Sequence, residues 1–468
     1  MATSIVLKSA EQQRLSKLKN EDNGEDLISK LPDAMLHYIL SFLPTKEIIQ
    51  TSILCKRWQN LWTSISNIYL EDSVDRTKSD YPKRSASFLN FVERILLVHD
   101  DSDIERLCLS FKMPVNPSCV NSWISIALKH NIKKLSVSLP LGQSYILPRR
   151  LFTCESLTVL RLQMICNLNP SLIHWPKLKS LHLSRVTFFN ESSTQQLFSS
   201  FPLLQNLVLI DCGWQNIKHI SISIPNLSCL IFQQYLDIIP TEDLLDCKIE
   251  VHAANLVYLG CISNLYVNLL ISARSLSNAS VDLYNYGGAE KEVGGRSISM
   301  LSGIQSVRSL IISDETLECL SGAENFSDDV PVFQNLIYLK VACEMSRRTI
   351  EILLYLMEKS PNLQILDIAE GIIQDIEFIE DDWNFEVMPS CLKSHLKVIS
   401  INAIYGQEPP ILLLKYLLKH STVLKRVMVH CPDSVSDSMG KREELKNQLL
   451  ILPRSSENCV IEVLDSTL

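Results

Sequence analysis

One phrase recurs along most of this 468-residue chain: apolar, two variable residues, apolar, one variable residue, apolar. Thirteen copies align between residues 104 and 430. The first six are Ile104/Leu107/Leu109, Ile132/Leu135/Val137, Leu157/Leu160/Leu162, Leu178/Leu181/Leu183, Leu204/Leu207/Leu209 and Leu227/Leu230/Phe232. Three degenerate copies follow: Leu256/Leu259/Cys261, Leu276/Ala279/Val281 and Val307/Leu310/Ile312. The last four are Leu336/Leu339/Val341, Leu363/Leu366/Ile368, Leu396/Ile399/Ile401 and Leu424/Val427/Val429. The last two apolar residues of each copy stand two apart, which puts them on one face of a short strand. A single copy cannot bury that face, so the copies must stack into a parallel sheet with a continuous core behind it. Between copies, Ile350, Leu353, Leu354 and Met357 predict a helix over 347–359, capped by Ser346 and stopped by Pro361. Leu413, Leu414, Leu417 and Leu418 predict another over 411–420.

The N-terminal block Leu31–Trp62 has a different pattern. Leu36, Ile39, Leu40 and Leu43 form one helical stripe, and Met35, Tyr38 and Phe42 form a second. Pro32 suits the first turn of this helix, Asp33 complements its positive end, and Pro44 ends it. Thr45 is a candidate cap for a second helix carrying Ile48, Ile49 and Ile53. A helix of about three turns that is apolar on two faces needs two packing partners. Periodicity does not say which stripe faces a partner.

The repeat spacing, 20 to 33 residues with a mean of about 27, lies in the range of leucine-rich repeats. Variable spacing predicts an irregular array, and the asparagine that usually follows the strand is mostly missing. The N-terminal block resembles an F-box through Leu31-Pro32, Ile39-Leu40, Leu43-Pro44 and Cys55-Lys56-Arg57-Trp58. Cys55 stands where Ser is usual, and Gln59 where Arg is frequent. Near the C-terminus, Trp383, Val387, Pro389, Cys391, Leu392, Leu396 and Lys397 resemble the opening of the plant FBD domain, and Leu449–Leu464 fits its close. Together these features resemble the plant F-box/FBD/LRR-repeat family over nearly the whole chain.

The implied fold is α/β: a small helical F-box, then an irregular leucine-rich-repeat solenoid with parallel strands on the concave face and helices on the convex face. The expected organisation is a disordered polar tail (1–25), F-box (26–72), linker or helical cap (73–103), leucine-rich repeats (104–382) and FBD-like terminal repeats and cap (383–468). The resemblance implies a non-catalytic substrate receptor of an SCF-type cullin–RING ubiquitin ligase. It would bind the SKP adaptor, and through it cullin and RING subunits, and hold an unknown protein substrate. By match to the motif, adaptor contact falls on Leu31, Pro32, Leu36, Ile39, Leu40, Leu43, Pro44, Ile48, Cys55 and Trp58. A non-degradative repeat scaffold and a small-ligand receptor of the same architecture remain open alternatives.

Composition narrows the chemistry. Hydrophobic content is 46% and charged content 21%, which describes a folded chain. The net charge of −8 argues against a general nucleic-acid binder. No signal-peptide core precedes the block and no run of about 18 apolar residues spans a membrane, so the expectation is a cytoplasmic or nuclear protein. The 14 cysteines are scattered without metal or redox spacing and read as small buried hydrophobes. No nucleophile elbow, P-loop, zinc-protease or dinucleotide motif is present, so no cofactor or metal is expected. The pairs Gly287-Gly288 and Gly294-Gly295 read as a surface loop, and the acidic run Asp375, Glu377, Glu380, Asp381, Asp382, Glu386 as a solvated one. On each strand, residues between and flanking the core pair face the concave side. Arg106, Lys134, Arg161 and His182 therefore predict a basic early rim. Val208, Ile210, Ile231, Tyr258 and Ile262 predict an apolar middle patch beside it.

Overall fold

The computed structural model describes residues 28, 30–72, 81–168, 172–235, 247–285, 287–342, 347–369, 385, 387–402, 411–431, 446–447 and 449–465. The N-terminal tail, Ser346, Trp383 and the acidic residues from Asp375 to Glu386 lie outside them. The chain divides into two compact units, 1–109 with 130–132 and 110–129 with 133–468.

The first unit begins with α1 (Asp33–Leu40) and α2 (Thr45–Gln50). Pro32 and Pro44 hold the N-cap positions, and each carbonyl accepts the first two helical N–H bonds. Thr45 is therefore the first helical residue and not the cap. Its buried hydroxyl accepts from the Tyr69 N–H at 2.8 Å and ties α2 to β1 (Asn67–Glu71). The first helix is shorter than its apolar stripes suggested, because Ser41 to Leu43 turn away to reach Pro44. Helix α3 (Tyr81–Val98) buries Val92, Ile95 and Leu96. Strand β2 (Arg106–Ser110) lies beside β1.

The second unit opens with α4 (Pro117–Lys129), whose Trp123 stacks on Phe111 with ring centroids 5.3 Å apart. The chain continues through β3 (Lys134–Ser138), β4 (Val159–Leu168), β5 (Ser180–Phe188), α5 (Glu191–Phe198), β6 (Asn206–Ile210) and β7 (Gly213–Trp214). Next come β8 (His219–Ser223), β9 (Cys229–Gln233), β10 (Lys248–His252), β11 (Tyr258–Ser263), β12 (Asn268–Ser272) and β13 (Asn278–Leu283). Then follow α6 (Glu290–Gly303), β14 (Ser309–Ser313), α7 (Asp314–Ser321), α8 (Phe326–Asp329), β15 (Tyr338–Ala342) and α9 (Arg347–Glu358). The chain closes with β16 (Ile365–Ile368), α10 (Cys391–Ser394), β17 (Val398–Asn402), α11 (Ile411–His420), β18 (Arg426–Cys431) and β19 (Val460–Asp465).

All thirteen repeat copies supply strands, including the degenerate ones: Ala279 and Val281 are 2% and 1% exposed. Within this unit the sheet order is β3-β4-β5-β6-β9-β11-β13-β14-β15-β16-β17-β18-β19, with parallel neighbours in register. The two apolar residues of each strand are buried beneath the return elements, and the residues between them line the open face. Both expected helices form as α9 and α11, with Leu353, Leu354, Leu413 and Leu414 buried.

The return side departs from expectation in the middle repeats. Between β6 and β13 the described return segments are strands, and β8, β10 and β12 form a second parallel sheet in the order β12-β10-β8. Two of the three steps there are short, 23 and 20 residues for β8 and β12, while the step that holds β10 is 29 residues. An extended residue advances ~3.3 Å and a helical one ~1.5 Å, so a short strand crosses the return side where a helix does not fit. The segments HISIS, KIEVH and NLLIS alternate accordingly and bury Ile220, Ile222, Ile249, Val251, Leu269 and Ile271.

The expected loop at Gly294-Gly295 is the first half of α6. A Cβ at Gly294 would overlap the backbone of Gly322 and Ala323, so only glycine lets α6 approach α7 this closely. Burial pushes the thiols of Cys166, Cys212, Cys261 and Cys391 up to about 12, which suits small core residues.

Candidate functional site

Two surfaces, one in each unit, carry features that packing does not consume. The first is the outer stripe of α1. Leu36 and Leu40 are completely buried, and Ile48, Trp58, Leu61 and Ile65 join them in the core. The opposite stripe faces solvent: Met35 is 50%, Tyr38 62% and Phe42 71% exposed. The Tyr38 and Phe42 rings meet edge to face with centroids 5.0 Å apart. Ile39 on the same helix, and Ile53 and Leu54 after α2, are also exposed. Burying one such side chain is worth about 1.5–3 kcal/mol, so this stripe is costly to leave in water.

The motif-matched residues divide in the same way. Leu36, Leu40, Ile48 and Trp58 are core side chains that hold the block together, not residues presented at its surface. Pro32, Ile39, Pro44 and Cys55 are exposed, and Leu31 and Leu43 are half-buried. The Leu-Pro start and the Lys-Arg-Trp signature have a physical link. Arg57 donates to the Asp33 carboxylate at 2.6 and 3.1 Å and to the Leu31 carbonyl. This clamp fixes the entry of α1, with the Asp33 side chain 66% and the Arg57 side chain 35% exposed. Met35, Tyr38 and Phe42 were visible as a stripe, but the motif match did not select them.

The second surface is the open face of the sheet in the second unit. Its central row runs in register from Ser136 through Arg161, His182, Val208, Ile231, Gly260, Ser280, Ile311 and Lys340. Arg161 and His182 are thus adjacent, and so are Val208 and Ile231. Lys134 and Tyr258 lie in the row before, and Ile210 and Ile262 in the row after. The Tyr258 ring lies against Gly260, where an added Cβ would stand 3.4 Å from it and 3.6 Å from Ile231.

The expected basic rim of four residues reduces to two. Arg106 belongs to the first unit, where its guanidinium donates to the Tyr69 hydroxyl at 2.7 Å and lies over that ring. Burial first, and the neighbouring Arg161 second, hold His182 below its ordinary value of 6.5, so it is neutral at pH 7. Lys134 and Arg161 remain as cations, and among the described residues neither makes an ion pair.

At the other end, charges are largely consumed. Tyr338 donates to Asp367 at 2.8 Å, and Lys340 lies 3.8 Å from the same carboxylate. On the outer sheet, Glu250 receives Lys248 at 2.5 Å and faces His219 and His252 at 3.4 and 3.7 Å. The Lys248 hydrogen bond leads the effects that hold Glu250 below its ordinary range. None of the described helices is long and apolar enough to cross a membrane.

Comparison with known proteins matches residues 28–69 to the F-box domain and residues 95–455 to a leucine-rich-repeat domain described as At1g61320/AtMIF1, LRR domain. The F-box/LRR-repeat protein At4g14103 of Arabidopsis thaliana is 32% identical over 369 residues, covering 75% of this chain and 93% of the relative. The F-box/LRR-repeat protein At4g14096 of the same organism is 28% identical over 463 residues, covering 95% and 96%. The F-box/FBD/LRR-repeat protein At5g56420, also from Arabidopsis thaliana, is 28% identical over 451 residues, covering 93% and 98%.

Proposed function

Because this chain belongs to the F-box/LRR-repeat family, we propose that it is the substrate-recognition subunit of an SCF-type cullin–RING ubiquitin ligase. In this reading the outer stripe of α1 docks the SKP adaptor, and the open face of the sheet holds a target protein. The observation that carries it is the division of the N-terminal block: Leu36 and Leu40 of α1 are buried in its core, while Met35 and Tyr38 of α1 and Phe42 just after it are left in solvent. Exposed aromatics of this kind dominate protein interfaces, where truncating one costs about 2–4 kcal/mol. Leu31, Pro32, Ile39, Leu43, Pro44 and Cys55 reach the adaptor beside them. Leu36, Leu40, Ile48 and Trp58 support that surface from beneath.

The receptor role needs no catalytic residue in this chain. Tethering a target beside a loaded conjugating enzyme raises the effective concentration of its lysines, which is a positional contribution to rate. The test is affinity capture of the full chain co-expressed with an SKP adaptor and a cullin. Both should co-purify with it. A full chain that is folded yet captures no adaptor sinks the proposal.

A further inference from the structure

The open face of β4 to β13 is charged at its two ends and uncharged between them. Across the three in-register rows from β3 to β14, the charged side chains are Lys134 and Arg161 at one end and Asp282 at the other. His182 does not add to the basic end, because it is neutral at pH 7. Between the ends lie half-exposed aliphatic groups: Val208 and Ile231 in the central row, with Ile210 and Ile262 beside them. Gly260 is itself buried, and the exposed Tyr258 ring lies against it beside Ile231.

Carboxylates also stand at the strand ends, from Asp211 just after β6 to Asp282 on β13. Asp211 adopts a left-handed backbone conformation with φ of 50°, which aspartate tolerates, and its carboxylate caps the Tyr235 N–H at 2.9 Å. Asp282 accepts from the Ser313 hydroxyl at 2.7 Å. Tyr284, on the edge of β13, donates its hydroxyl to the Gln234 carbonyl. Tyr235 and Tyr284 thus stand among the carboxylates of Asp211 and Asp282, and an aromatic, acidic rim suits a cationic side chain.

We propose that this face receives an extended segment of the target that carries an acidic residue, then aliphatic or aromatic residues, then a basic residue. The acidic residue meets Lys134 and Arg161, the apolar residues cover Val208, Ile231 and the Tyr258 ring, and the basic residue meets Asp282. This deepens the receptor reading above and rests on it. Length supports the match. Five strand steps separate β4 from β13. At ~4.8 Å per step they span about 24 Å, which an extended peptide at ~3.3 Å per residue crosses in about seven residues. Like charges facing each other cost affinity, so a segment with the same charge at both ends is rejected.

The experiment is selection of a displayed library of random twelve-residue peptides against the purified full chain. The enriched pool should carry acidic and basic residues about seven apart with apolar residues between. Arg161 is exposed, so Arg161→Glu leaves the fold intact, as a thermal melt verifies. It should lower affinity for the selected peptides about tenfold and shift a fresh selection toward a basic residue in place of the acidic one. The proposal is overturned if nothing enriches, if the pool lacks this order, or if Arg161→Glu enriches the same pool. Adaptor capture plays no part in the selection. A chain that captures the adaptor but selects no such segment therefore refutes the docking chemistry and leaves the receptor reading standing.

Discussion

The outer stripe of α1 and the open face of the repeat sheet are both surfaces that packing leaves over, yet they are built differently. The stripe is small, uncharged and dense in apolar side chains, with Met35 and Tyr38 on α1 and Phe42 in the turn that follows it. The sheet face spans many strands, and its side chains change from basic to aliphatic to acidic along the way. A compact apolar stripe suits one constant partner whose surface never changes. A broad face whose rows can vary without disturbing the buried leucines suits partners that differ from one family member to the next. In the sheet, Leu181 and Leu183 are buried in the core while His182 between them lines the open face.

The comparison can be broken first at the core beneath the stripe. Leu36→Ala removes a completely buried side chain and should destabilise the first unit by about 2–5 kcal/mol. Denaturant unfolding of the full chain would read this as an early loss of the first unit, with the repeat transition unmoved. Next comes the surface above it: Tyr38→Ala should cost adaptor affinity by about 2–4 kcal/mol while leaving the unfolding transition in place. Surface and core variants on the same helix must therefore separate cleanly, one in binding and the other in stability. If Tyr38→Ala unfolds the block, the stripe is structural and the contrast fails.

Smaller effects sharpen the picture. Arg57→Ala removes the clamp on Asp33 and Leu31, and because that pair is exposed its loss should cost at most about 1 kcal/mol by denaturant titration. A pH-dependent effect concerns Asp314 at the start of α7. Burial, with the neighbouring Glu315 second, pushes its carboxyl from 3.8 up to about 7. The folded state therefore holds this proton more tightly than the unfolded state, and stability falls as pH rises between those values. Asp314→Asn removes that loss. Its melting temperature relative to the native chain should climb from pH 4 to pH 7 and stay level above pH 7; an offset independent of pH would refute the assignment.

What the sequence revealed follows the range of each interaction. Strand positions were legible at every repeat copy, because two apolar residues two apart decide a strand locally. Helices α9 and α11 were legible for the same reason at helical spacing. The second sheet escaped notice because HISIS, KIEVH and NLLIS are too short to carry the repeat phrase, although each alternates. Gly294 read as a loop residue because the backbone that excludes a side chain there comes from Gly322 and Ala323, a full repeat later. Both stripes of α1 were visible in the sequence. Which of them faces inward is decided by Ile48, Trp58 and Ile65, none of which belongs to that helix. Likewise, Asp33 read as a helix-dipole residue because its partner Arg57 lies beyond the next helix.

The central claim is that the exposed half of α1 exists to hold the adaptor. It is tested most directly by titrating a purified SKP adaptor onto the full chain and onto a Tyr38→Ala, Phe42→Ala variant whose melting curve matches the native one. The account predicts saturable binding to the native chain and at least a hundredfold weaker binding to the variant, about 2.7 kcal/mol or more. Equal affinity for the two chains would contradict it.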